Sequence, residues 1–122
     1  MEVKRTERGW PGHFICAYQC LFRRNTLLEY GPAKIVVSTV GRLAIRKDGK
    51  TDIEPVGYER YYETMAFHSD PKDSIYHNID AAKWLDLGCG WQLNELDDIK
   101  ANDMHEKAVI WVTEQLLKNN LL

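Results

Sequence analysis

Two polar clusters are set into otherwise apolar, extended-looking sequence, where a charge needs a partner. The first is Arg23-Arg24-Asn25-Thr26, and the second is Glu63-Thr64, with His68 closing the same segment. Successive side chains of an extended chain point to opposite sides, so Tyr61, Glu63, Met65 and Phe67 share one side. If that side faces a core, Glu63 is partly buried and requires a cation, because an unpaired buried charge is costly. An arginine of the first cluster is the expected partner. One reading is structural: an ion pair, or a solvated strand face. The other is chemical: Arg23 or Arg24 holds an anionic group through paired hydrogen bonds while Glu63 or His68 exchanges a proton. His68 has the opposite parity to Glu63, which works against their sharing a substrate.

His13 follows Trp10-Pro11-Gly12, in which proline and glycine set a turn and the indole offers a flat apolar surface. Either Trp10 packs at the edge of the core while His13 makes one backbone hydrogen bond, or the two form an aromatic clamp beside a proton shuttle. The candidate ligand-binding set is therefore Trp10, His13, Arg23, Arg24, Asn25, Glu63 and His68, with no residue assigned to catalysis. His68, Asp70, Asp73 and His77 are ligating residue types, but their spacing fits no zinc pattern and the two aspartates are ordinary turn residues. No metal or cofactor is expected. Gly88-Cys89-Gly90 is too short for a phosphate loop. In a single strand Cys16 and Cys20 would stand roughly 13 Å apart, too far for a disulfide, so they read as small apolar fillers.

The elements that must hold these residues follow from periodicity. His13–Phe22 alternates and predicts a strand ending before Arg23. Lys34–Val40 is dense in β-branched residues and predicts a second. Leu43–Arg46 and Thr51–Glu54 flank Lys47-Asp48-Gly49-Lys50, a hairpin signal. Tyr58–His68 predicts a long strand, and Ile75–Ile79 a short one. Residues 81–87 are either one helical turn or irregular, and residues 94–98 read as a solvated loop. Asp103 followed by Glu106 resembles a capping box opening a helix over about 103–118. Met104, Ala108, Val109, Trp111, Val112 and Leu116 share a face that should cover the sheet, with Trp111 deeply buried. Ile110 and Leu117 lie on another stripe and are left for a second contact, such as a homodimer. The fold class is α+β: one antiparallel sheet of about five or six strands packed by a C-terminal helix.

With 122 residues, 44% of them hydrophobic and 28% charged, the chain is expected to form one domain, strand-rich over 1–80 and irregular over 81–102. Sixteen basic residues against eighteen acidic ones give a net charge of −2. No global field therefore draws the protein to nucleic acid. A nucleic-acid reading would have to use Arg23, Arg24, Lys34, Arg42, Arg46 and Lys47, with Trp10 or Tyr58 stacking on bases. No apolar run is long enough for a membrane span, the opening residues lack the apolar stretch of a secretory signal, and the expected location is the cytoplasm.

The segments Arg8–Ala17, Phe22–Leu28, Ile35–Gly41 and Arg60–His68, with Ala101–Glu106 at the helix start, together resemble a group of small uncharacterised proteins of bacterial mobile DNA, such as prophages and gene cassettes. The resemblance spans roughly residues 4–68. It implies an accessory role in phage or host-defence biology and carries no catalytic assignment to any residue. The leading expectation is a binding module that recognises a host macromolecule or small ligand, in its specific form an inhibitor of a bacterial defence system. The alternative is a small enzyme acting on an anionic substrate through an Arg/Glu/His pocket.

Overall fold

The computed structural model describes residues 2–9, 12–13 and 17–121. Seven antiparallel strands form one sheet, and one C-terminal helix packs on it, an α+β fold. In chain order the strands are β1 (Lys4–Arg8), β2 (Cys20–Tyr30), β3 (Ala33–Lys47), β4 (Lys50–Glu54), β5 (Tyr62–Ser69), β6 (Ile79–Trp84) and β7 (Gln92–Leu93), and the helix α1 is Asp98–Leu117. The main order across the sheet is β1-β2-β3-β5-β6, with β4 added to β3 and β7 to β5.

β3 is the axis of the fold. Its first part pairs with β5, placing Ser38 opposite Met65 and Thr39 opposite Thr64, and its last part pairs with β4 across the Asp48-Gly49 turn. β2 lies along its other side, with Asn25 opposite Ser38 and Arg24 opposite Thr39. Val36, Val37 and Val40 are all fully buried, so β3 is covered on both faces. On one face α1 packs Ala108, Val109, Val112 and Leu116 against Leu28, Ile35, Val37 and Ala66. Nearer the helix start, Ala101 and Met104 pack with Tyr62.

Several boundaries differ from the sequence reading. A 3-10 turn occupies Ala17–Gln19, and the strand begins at Cys20 and runs through the arginines to Tyr30. Alternation makes this tolerable: Arg23 stays exposed, while Arg24 meets carboxylates on the helix face. β1 was not foreseen, and the short strand expected at Ile75–Ile79 instead runs Ile79–Trp84, through residues expected to be irregular. The helix starts five residues before Asp103. Asp97 caps it, its carboxylate accepting the backbone N–H of Ile99 and Lys100 at 3.0 and 3.1 Å, and nothing in residues 98–102 interrupts the turn. Trp111 is only half-buried. The buried stripe runs through Ala101, His105, Ala108, Val112 and Leu116, and at 100° per residue Trp111 lies about 100° from its centre. Ile110 and Leu117 are exposed, at 57% and 49%.

Candidate functional site

The face of the sheet opposite α1 brings one group of candidates together. His13 lies over Ser38: its backbone N–H donates to Ser38 Oγ at 3.1 Å, and its ring Nδ1 is 2.9 Å from the same oxygen. Its Nε2 is 2.9 Å from Glu63 Oε1. A carboxylate only accepts, so Nε2 carries the proton. In the neutral ring Nδ1 therefore accepts the Ser38 hydroxyl. The second Glu63 oxygen takes Arg60 at 3.1 Å, and Arg60 also donates to Gln92. Hydrogen bonding from His13, together with the charge of Arg60, outweighs burial and holds the Glu63 carboxyl below its ordinary range.

The His13–Ser38 end of this cluster is closed, while Glu63 and Arg60 at the other end remain partly exposed. Ser38 is fully buried, the His13 ring is 4% exposed, and the ring packs against Phe67 with centroids 5.7 Å apart. Gly12 accounts for the tight closure: a Cβ there would stand 2.1 Å from Val40 Cγ1 and 2.8 Å from Ser38 Oγ. The Arg60 guanidinium lies on Gly57 in the same way, its Nε buried without a hydrogen-bond partner. Asn25, beside Ser38 in the neighbouring strand, is buried and accepts from Arg8 Nε at 2.8 Å.

The helix face carries a separate polar system. Arg24 donates to Glu7 and Glu106, Arg5 also binds Glu106, and Asn102 completes the group. The Arg5 hydrogen bond, helped by that of Arg24 and by both charges, outweighs the opposing effect of burial and pulls the Glu106 carboxyl down to about 2. Beneath them, fully buried His105 contacts Thr26 Oγ1 through Nε2 and Thr39 Oγ1 through Nδ1, both at 2.7 Å. Thr26 donates to Glu7, and Thr39 lies 2.6 Å from Thr64 Oγ1. The acceptor-only carboxylate gives this chain a direction. Thr26 gives its proton to Glu7 and so accepts His105 Nε2–H, and Nδ1 then accepts from Thr39, which accepts from Thr64. Burial, reinforced by nearby Arg24, lowers the His105 pKa to about 4, so the ring is neutral at pH 7.

The expected constellation is therefore split. Glu63 is paired with His13 and Arg60; Arg24 is across the sheet, and Arg23 is exposed on the Glu63 side without bonding to it. His68 faces the helix side and lines a separate cleft of about 580 Å³ at the end of the sheet, together with Lys34, Asp70, Asp73, His77 and Lys83. Among the described residues no three ligating groups converge to hold a metal, although all four metal candidates line this cleft. Trp10 and Cys16 lie outside the described residues, and Cys20 is buried. Sequence reasoning missed Ser38, Arg60 and His105. Their only signal was a polar residue in apolar surroundings, which Ser38 and His105 share with many structural residues. No family model, curated protein or solved structure matches the chain.

Proposed function

We propose that this chain is a binding module of the bacterial cytoplasm that recognises a host macromolecule or small ligand and has no turnover of its own. What carries the reading is the closure of the His13 cluster. Both His13 nitrogens and both Glu63 oxygens are taken by protein groups, and Ser38 has no exposed surface. A group so engaged fixes structure, here by pinning Gly12-His13 to the sheet. The absence of a membrane-crossing helix among the described residues is compatible with this setting. The resemblance to small proteins of bacterial mobile DNA supports an accessory role, and inhibition of a bacterial defence system is its specific form. Nucleic acid is a poor partner on charge. Arg24, Lys34, Arg42 and Lys47, four of the six cations such binding would need, already face carboxylates. A homodimer through exposed Ile110 and Leu117 belongs to the same proposal; Ile110→Lys should leave the fold intact and remove any concentration-dependent dimer in analytical ultracentrifugation.

The test is capture of partners from bacterial lysate by the tagged chain, with a folded Ser38→Ala variant alongside. Both should recover the same specific partner. Recovery of none counts against the proposal.

One observation favours a second reading, a small hydrolase. Ser38, His13 and Glu63 are hydrogen-bonded in the order of a serine triad, with the two imidazole nitrogens exchanged relative to the usual arrangement. Covalent labelling of Ser38 by a fluorophosphonate, abolished in Ser38→Ala, would establish that reading over the binding module.

A further inference from the structure

We infer that the cleft at the end of the sheet is a binding site for a small organic monoanion, a carboxylate on an apolar body. The inference rests on the binding-module reading and names the ligand class it would serve. The cleft lies where the β2–β3 turn, the end of β5, residues 70–78 and β6 meet, and its volume of about 580 Å³ lies in the range of small-molecule sites. Pro32, Pro71 and Leu121 supply apolar wall.

The hydrogen-bonding capacity of the polar lining sets the ligand's chemistry. The acceptors are largely used within the protein. Asp70 Oδ1 takes the backbone N–H of Lys72 at 2.9 Å, and Asp73 takes those of Tyr76 at 2.9 Å and Asn78 at 3.4 Å. These backbone bonds, Tyr76 foremost, hold Asp73 below its ordinary range, so it stays an engaged carboxylate at neutral pH. Lys34 and His77 stand 3.8 and 3.9 Å from the shared Glu29 carboxylate. The imidazole of His68 and the ammonium of Lys83 have no side-chain partner among the described residues, and Ser69 and Ser74 add hydroxyls beside them. His68, Ser69 and Ser74 can donate or accept, whereas the Lys83 ammonium only donates and carries a full charge, so the cleft calls for an acceptor oxygen that carries charge. Asp70 and Asp73 balance the two lysines of the lining, which favours a singly charged carboxylate over a phosphate dianion.

The sheet is irregular at this place. Phe67 pairs with Trp84 but Ser69 pairs with Ile79, so the β5–β6 register shifts across His68. Such irregularities bend a strand and re-aim its side chains, here at the position where His68 and Lys83 line one cleft.

The experiment is an amide-resolved NMR titration of the whole chain with phenylacetate, its neutral isostere phenylacetamide, and inorganic phosphate. Phenylacetate should give saturable shifts at residues 68–74 and 83, while phenylacetamide should give none. Lys83→Glu should weaken phenylacetate binding by about tenfold or more, and Lys83→Arg should retain it. Equal binding of acid and amide, tighter binding of phosphate, saturable shifts mapping elsewhere, or no saturable shift overturns the inference. The two proposals fail separately. A chain that captures a host partner but gives no saturable phenylacetate shift loses the cleft alone. One whose Ser38 takes a fluorophosphonate but which binds phenylacetate as described keeps the cleft and loses the binding-module reading.

Discussion

Acidification should weaken this fold through a single buried imidazole. His105 has an ordinary pKa of 6.5 when unfolded and about 4 when folded, because burial and nearby Arg24 oppose its charge. Since the folded value is the lower one, the unfolded chain binds the proton first. Stability is therefore full above about pH 6.5, falls as pH drops towards about 4, and levels off below it as far as this group is concerned. A difference of about 2.5 units corresponds to about 3 kcal/mol at 1.36 kcal/mol per unit. That is a large part of the roughly 5–15 kcal/mol typical of a small domain. The structure gives the reason in atoms. Nδ1 accepts the Thr39 hydroxyl, so a second proton on the ring requires Thr39 and Thr64 to reverse. The groups facing the ring are Glu7 and Arg5 from β1, Arg24 from β2, and Glu106 beside it on α1. Urea unfolding between about pH 7 and pH 4 should be compared for the parent chain and His105→Gln, which removes the titration. Glu63 and Glu106 titrate from depressed values in both proteins, so their contributions cancel in the difference, while Glu7, which His105 helps to depress, is coupled to the ring and counts with it. The parent should lose about 3 kcal/mol more than the variant over this interval. Parallel pH profiles would refute the reasoning.

Gly12→Ala should lower the melting temperature by the equivalent of about 1–3 kcal/mol, because its Cβ would stand 2.1 Å from Val40 Cγ1; an unchanged melt would mean that this backbone does not rest on the sheet. Asp97→Ala should cost about 1 kcal/mol in thermal denaturation through loss of the helix cap, whereas Asp103→Ala, at an exposed position within the helix, should change stability by less than about 0.5 kcal/mol.

The parts of the fold legible in the sequence were those whose local chemistry had one solution. Ile35, Val36, Val37 and Thr39 favour a strand on either face, and Asp48-Gly49 adopts the positive φ that a tight hairpin needs. β1 was not legible because Lys-Arg-Thr-Glu-Arg has no apolar residue to mark a buried face; its place comes from Glu7 meeting Arg24 and Thr26. The helix start was misplaced because Asp97 and Asp103 are both chemically suitable caps, and choosing between them depends on packing: Ala101 and Met104 seat the earlier turn on Tyr62. At the candidate site, alternation along β5 put Glu63 on a covered face but could not say which cation would reach it. One is Arg60, only three residues away but brought back by a local turn that alternation does not register, and the other is His13, which reaches Glu63 only because Gly12-His13 crosses the sheet from 50 residues away. Trp111 misled because size suggests depth, whereas the middle of the buried stripe is held by the much smaller Val112.

The adjacent hydroxyls Ser38 and Thr39 give β3 an error check on its alignment. Apolar contacts alone discriminate weakly here, because the strand is buried on both faces and its neighbours along the chain are valines. Ser38 serves His13 on one side and Thr39 serves His105 on the other. Sliding the strand one residue in one direction puts Val37 under His13; sliding it the other way puts Val40 under His105. Either misalignment strands one imidazole against a methyl group at a penalty of about 1–3 kcal/mol, so each histidine vetoes the slip that the other would tolerate.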